Sequence, residues 1–310
     1  MLAILESLPK AIEFGLLFAF LSLGVYITFR ILDFPDLTVD GSFTTGGAIA
    51  AVMITHGYSP WLSTVAAFGG GCAAGAVTGL LHTKGRINGL LSGILMMIAL
   101  YSINLRIMGV PNVSLLGEPT IFSSGVSPML ISAVGAVVVK LLIDLFFRTD
   151  LGLSLRATGD NARMIRSFGV NTDNSKMLGI SLSNGLVAIS GALFAQYGGF
   201  ADNSQGIGMI VIGLASVIIG EAIFGTRTIF WATLAAVFGA VFYWIVYTVA
   251  LESEWLRLEA SDMKMITALI VIVALVIPTA QRALKQRSVA RRRSAELAGM
   301  AADTEHGGGR

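Results

Sequence analysis

Nine apolar stretches divide this chain, and they constrain its fold more than any other feature. They cover residues 11–32, 42–55, 61–81, 87–103, 126–147, 177–197, 207–224, 229–251 and 263–280. Most approach the roughly 20 residues that a helix needs to cross a bilayer. Hydrocarbon offers no water to backbone N–H and C=O groups, so such segments must satisfy them internally as helices. Charged residues make up only 13% of the 310, about half their share in a soluble domain. That is too little charge to coat a water-facing surface of this size. The mean hydropathy of +0.78 agrees. An ordinary soluble enzyme, a disordered chain and a fibrous repeat are therefore excluded. The expected fold is all-α: a polytopic transmembrane bundle of about nine spans. The 36 glycines suit closely packed membrane helices. The single Cys72 excludes a disulfide framework and a cysteine metal cluster.

The first stretch is longer than a signal-peptide core and runs into Asp33 and Pro35, so it reads as a true span. Basic residues orient the rest, because Lys and Arg collect in cytoplasmic loops. The segment 148–176 carries Arg148, Arg156, Arg163, Arg166 and Lys176 against three acids. Lys84 and Arg86 follow the third stretch, and Arg227 precedes the eighth. Residues 251–264 carry four acids and two bases. Nine spans then place the N-terminus outside, the C-terminus in the cytoplasm and every basic loop inside. Residues 1–280 form the membrane body. Residues 281–310 form a basic cytoplasmic tail that ends transfer and touches anionic membrane lipid.

The segment 148–176 is the one long cytoplasmic connection. Asp160 or Asn161 can cap a helix start, and Gly169 can end it in the left-handed conformation. The helix between them is about two turns long and needs outside support. Met164, Ile165 and Phe168 share one side, flanked by Arg163 and Arg166. Pattern alone allows two readings: a docking knob for a partner, or a helix lying on the membrane surface.

The run Arg156-Ala157-Thr158-Gly159-Asp160-Asn161-Ala162, followed by Gly169-Val170-Asn171, resembles the coupling loop of ATP-binding-cassette (ABC) importer permeases. The closest group is the branched-chain amino-acid and ribose permease class, and the likeness extends over residues 11–278. It implies that Arg156 and the 160–169 helix, with Asp160, Asn161, Ala162, Arg163, Met164, Ile165, Phe168 and Gly169, dock on a separate ATPase subunit. ATP and Mg would then belong to that subunit, with no cofactor or metal in this chain. The resemblance also implies an extracytoplasmic binding protein, a second permease copy in a homodimer, and a bacterial inner-membrane location. No nucleic acid is implied. Phe34-Pro35-Asp36-Leu37-Thr38-Val39-Asp40-Gly41-Ser42 is similar to a turn of the same class. The runs 101–109 and 211–221 resemble permeases that serve tryptophan-type binding proteins. An amino acid or a small relative is the implied substrate, with an aromatic one favoured.

Polar groups near the apolar stretches mark a candidate substrate path. Asp36, Thr38, Asp40, Gly41 and Ser42 could build a helix start at membrane depth, where such starts often face substrate. Asp40 would suit an ammonium group there; as an alternative it is a plain helix cap. Tyr101, Asn104 and Arg106 end the fourth stretch. Arg106 suits a carboxylate or snorkels to the interface. Lys140 and Asp144 are spaced as an intrahelical pair. Glu221 pairs with Arg227 or shapes the ATPase-facing surface. Asn184 and Gln196 are placed to hydrogen-bond across helices, and Gly71, Gly75 and Gly79 form a small-residue packing face. His56, His82 and His306 are far apart in sequence and read as ordinary. The sequence has no Gly-x-x-x-x-Gly-Lys-Ser/Thr phosphate loop, no His-Glu-x-x-His site and no Gly-x-Ser-x-Gly elbow. The expectation is thus a transporter subunit without its own ATPase site. A stand-alone secondary carrier is the alternative.

Overall fold

The computed structural model describes residues 2–123, 125–252, 265, 267–273 and 276. Nine helices are labelled here: α1 (Leu2–Val25), α2 (Thr38–Thr55), α3 (Pro60–Thr83), α4 (Gly89–Met108), α5 (Pro128–Phe146), α6 (Asp150–Ser167), α7 (Thr172–Gly198), α8 (Met209–Phe224) and α9 (Ile229–Leu251). A π-helical turn, Tyr26–Ile31, extends α1. The described part of the ninth apolar stretch is helical, and the rest of it lies outside the described residues, as does the 281–310 tail.

The apolar stretches became helices close to where they were expected, and the eighth has the same bounds, Ile229–Leu251. Six helices among the described residues are long and apolar enough to cross a membrane: Ser7–Ile31, Pro60–Thr83, Gly89–Met108, Pro128–Phe146, Thr172–Gly198 and Ile229–Leu251. The count of nine is therefore coarser in the structure. Two of the remaining stretches differ for a physical reason. The helix α8 is apolar but has only 16 residues, about 24 Å at 1.5 Å per residue. The helix α2 carries Thr, Ser, Gly and Asp, and 13 of its 18 residues are buried. It is enclosed by α3, α4 and α7, so protein rather than lipid surrounds it.

Close helix crossings explain the glycines. A Cβ at Gly46 would lie 1.9 Å from Ala188 O, and one at Gly191 would lie 1.9 Å from Phe43 O. These two sites let α2 and α7 touch backbone to backbone. Gly71, Gly75 and Gly79 do the same for α3, with Cβ positions 2.3, 2.4 and 2.9 Å from α7 backbone atoms. In a membrane, where lipid tails are as apolar as the core, such close contact replaces the hydrophobic drive. An aromatic cluster fills the space beside α1. Phe18 meets Trp244 at 4.8 Å and Phe194 at 5.6 Å between ring centroids, and Phe14 stacks on Trp244 at 5.0 Å. Each such pair contributes about 0.5–1.5 kcal/mol beyond its buried area.

Two further features depart from the sequence reading. The segment 148–176 is helical almost throughout, since α6 runs up to Ser167 and α7 begins at Thr172. A two-stranded antiparallel ribbon, β1 (Asn112–Ser114) with β2 (Phe200–Asp202), interrupts the all-α pattern. It ties the α4–α5 connection to the α7–α8 connection, where backbone groups outside helices need partners.

Candidate functional site

The start of α2 gathers buried polar groups from four helices. Asp36 is 2% exposed. Its Oδ1 accepts the Thr38 backbone N–H at 2.9 Å, which turns the chain into α2. Its Oδ2 accepts Asn184 Nδ2 of α7 at 2.6 Å. Asn184 Oδ1 in turn accepts the Ser42 hydroxyl at 2.7 Å. The Thr38 and Thr78 hydroxyls, on α2 and α3, are 2.8 Å apart. On the α4 side, Thr45 Oγ1 lies 2.9 Å from both Gly41 O and Asn104 Oδ1. Asn104 Nδ2 donates to Gly41 O at 3.3 Å. Asn184 stands twelve residues into α7, about 18 Å from its start. This polar knot therefore lies inside the bundle, where each group needs its partner.

Asp40 performs a different task. Its Oδ2 accepts the Gly208 N–H at 2.9 Å, and its Oδ1 accepts the Ile210 N–H at 2.8 Å. These are free donors at the α8 N-terminus, where the helix dipole also favours negative charge. Gly206 N donates to the Thr44 hydroxyl at 3.1 Å. A Cβ at Gly206 would sit 1.9 Å from Asp40 O, so only glycine fits there. Two helix starts, α2 and α8, thus meet at Asp40 within the bundle.

The other candidates on α4 face outward. Tyr101 is 53% exposed, and Arg106 is also exposed. Asn104 points into the core, on the opposite side. Asn203, just after β2, is a residue that sequence reasoning missed. It is buried, its Nδ2 donates to Tyr101 O at 3.3 Å, and its Oδ1 has no partner among the described residues. Nothing in its local sequence signals this, because the contact depends on the ribbon.

The proposed coupling residues lie on the outer part of α6. Asn161 has φ −156° and ψ 87°, which breaks α6 into two helices. Its Oδ1 accepts the Met164 N–H at 3.0 Å and caps the second one. Gly169 follows with φ 86°, in the left-handed region. Met164 is 54% and Phe168 74% exposed, while Ile165 is half-buried. Asp160 and Arg163 are exposed, with Ala162 half-buried between them. The first part of α6, which holds Arg156, is anchored to the bundle: a Cβ at Gly159 would sit 1.7 Å from Ile31 O, and the Ser154 and Ser175 hydroxyls are 3.1 Å apart.

Two ion pairs hold the other charged candidates. Glu221 pairs with Arg30 rather than Arg227: Arg30 Nε donates to Glu221 Oε1 at 2.7 Å, and Nη2 bonds Oε2. No local pattern signals this pair, because 191 residues separate its members. The bond joins the π-helical end of α1 to the last turn of α8. Lys140 and Asp144 form the expected intrahelical pair, and Asp144 Oδ1 also accepts the Thr233 hydroxyl of α9 at 2.6 Å.

Six membrane-length helices among the described residues, two helix starts packed inside the bundle and an exposed, separately capped short helix define a multi-pass membrane protein. The chain belongs to the family described as branched-chain amino acid transport system / permease component, which matches residues 10–276. It is a permease subunit of an ABC importer. It is 44% identical over 272 residues to a tyrosine transport system permease protein of Clostridioides difficile, covering 88% of this chain and 91% of that one. An uncharacterised protein of Rickettsia prowazekii is 35% identical over 280 residues, covering 87% and 97%. An autoinducer 2 import system permease of Salmonella paratyphi B is 28% identical, covering 84% and 76%. Among solved structures, an inward-facing transporter of metal-chelate ABC type superposes with a TM-score of 0.51 at 17% identity, covering 88% and 85%. PsaBC from Streptococcus pneumoniae in complex with Fab gives 0.53 at 12%, covering 88% and 95%. Those two likenesses concern the fold alone.

Proposed function

We propose that this permease, paired with a second copy of itself in a bacterial inner membrane, forms the import path for an amino acid of the tyrosine type. The observation that carries this reading is the 44% identity to a tyrosine transport permease along most of both chains. A binding protein delivers the solute on the side of the β ribbon. ATP and Mg act on a separate ATPase subunit, which meets Asp160, Asn161, Ala162, Arg163, Met164, Ile165, Phe168 and Gly169. Arg156 lies on the segment that transmits the push into the bundle. The spans then rock between outward- and inward-open states. In this reading nine spans put the α6 end and the C-terminus in the cytoplasm.

The path residues divide by task. Both Asp40 oxygens hold α8, so Asp40 shapes the path, as do Asp36, Thr38, Gly41, Ser42 and Asn104. The exposed Arg106 offers a bidentate partner for a carboxylate. Tyr101 supplies an aromatic wall.

The test is reconstitution in vesicles with and without the ATPase and the binding protein. Tyrosine uptake that needs all three components and ATP is expected. Uptake that follows an ion gradient without the ATPase would overturn the proposal in favour of a secondary carrier.

A further inference from the structure

Two cavities open on the side of the bundle between α3 and α5, with α7 as their floor. One has a volume of about 950 Å³ and the other about 520 Å³. They share Thr64, Val65, Val139 and Ile189, so they are one continuous groove. It exists because α5 packs on α1 and α9 while α3 packs on α7 and α2. The two helices diverge around α7 and leave the gap unfilled. Along α7 the lining runs from Asn174 to Leu193, about 28 Å of helix. That is close to the hydrocarbon thickness of one bilayer.

The wall is almost wholly apolar, from Phe146 and Met177 at the α6 end to Trp61 and Leu130 at the other. Of the few polar groups, two are engaged: the Ser181 hydroxyl donates to Cys72 O at 2.7 Å, and Thr64 accepts from Gln196 at 2.9 Å; Ser132 is buried in the wall, and Asn174 sits at the α6 end. Such a wall, with so few polar groups, suits an apolar chain rather than a hydrophilic solute. The charge at the α6 end is different. Arg148 follows the lining residue Phe146 by two positions, and Lys176 precedes Met177. Lys84 and Arg86 follow the end of α3, which meets α7 at Met177 through Gly79. Among the described residues, the ion pairs are Arg30–Glu221, Lys140–Asp144 and Arg166–Asp173, so none of these four bases has an acid partner.

We infer that this groove binds an anionic phospholipid, with its headgroup among Arg148, Lys176, Lys84 and Arg86 and its acyl chains along α3, α5 and α7. An apolar slot of membrane length with unpaired cations at one end matches that amphiphile in shape and charge. Because α5 and α7 carry α6 between them, the lipid sits under the root of the coupling segment. The site goes beyond the transport reading and rests only on its membrane orientation.

The test uses the full permease in mild detergent and native mass spectrometry, with phosphatidylglycerol and phosphatidylcholine of equal chain length as probes. Neither transport nor the ATPase enters the readout, so failure here leaves the transport reading untouched. Phosphatidylglycerol should be retained in preference to phosphatidylcholine. Each base near a membrane surface is worth about fivefold in binding anionic lipid, so Arg148→Gln with Lys176→Gln should retain about thirtyfold less. Leu142→Trp, placed on the exposed side of α5 where it fills the groove, should lower retention of both lipids. The wild-type protein gives an independent readout, because Cys72 is its single cysteine and lines the groove. Phosphatidylglycerol should slow its labelling by N-ethylmaleimide, and phosphatidylcholine should do so less. Equal retention of the two lipids, or labelling that ignores both, would overturn the proposal. Conversion of a dimer to monomers by Leu142→Trp would overturn it as well, since a second copy would then occupy the groove.

Discussion

The Asp40 carboxylate accepts the backbone N–H of Gly208 at 2.9 Å, and this bond fixes where α8 begins. A residue near the start of α2 thereby caps a helix 168 positions later in the chain. The partner N–H of Ile210 completes the cap. The pair ties the start of α2 to the start of α8.

Removing that acceptor should loosen α8. Asp40→Ala leaves two part-buried N–H groups without this acceptor, at about 1–3 kcal/mol each at most. Asp40→Asn keeps one acceptor oxygen and should cost about half as much. Thermal unfolding of the solubilised protein should rank wild type above Asn above Ala, with uptake falling in the same order. A variant that lost uptake at unchanged stability would instead place Asp40 in contact with solute.

Asp36 and Asn184 should prove energetically coupled. Their 2.6 Å bond joins the entry to α2 with α7 inside the bundle. Hydrogen bonds between membrane helices contribute about 0.6–2 kcal/mol. A double-mutant cycle of Asp36→Ala and Asn184→Ala, read by unfolding in mixed micelles, should return a coupling in that range. Strict additivity would show that the contact is idle.

Two glycine substitutions should behave in opposite ways. At Gly46 a Cβ would meet Ala188 O at 1.9 Å, so Gly46→Ala must push α2 from α7. The cost should be about 1–3 kcal/mol, as for other overpacked cores. At Gly69 on α3 a Cβ would meet no described residue beyond its own helical turn within 4 Å. Gly69→Ala should therefore be neutral or stabilise by up to about 1 kcal/mol, from helix propensity alone. Expression level and thermal stability of the two variants give the comparison directly.

The exposed pair Met164 and Phe168 should decide association with the ATPase. Met164→Asp with Phe168→Asp places charge on two side chains that are 54% and 74% exposed and contribute little to the fold. Stability should stay within about 0.5 kcal/mol of wild type, as for other surface changes. Co-purification of the ATPase should be lost. Normal co-purification would reject docking at this helix.

Much of this molecule is readable from residue order, and particular elements show why. The 229–251 stretch could be bounded to the residue, because a run of apolar side chains ending at Glu252 has one solution in a bilayer. The Asn161 cap and the Gly169 terminator are local signals within one short helix, and both are in place. The packing face of Gly71, Gly75 and Gly79 is visible as a period. Its partner is not, because a period says which side of a helix is flat and nothing about which helix lies against it.

The sequence by itself determined a membrane-embedded helical chain with a basic, separately capped segment between two spans. Those properties follow from solvent transfer, helix length and cap chemistry, which act within a few turns. The tertiary structure decided which polar groups meet: Asp36 with Asn184, Asp40 with the α8 start, Arg30 with Glu221. It also enclosed α2 among α3, α4 and α7, and it exposed Tyr101 while burying Asn104 three residues away. Each of these depends on partners 100 or more residues apart or on which helix face is covered. Only close packing through glycine contacts brings such groups within hydrogen-bond reach.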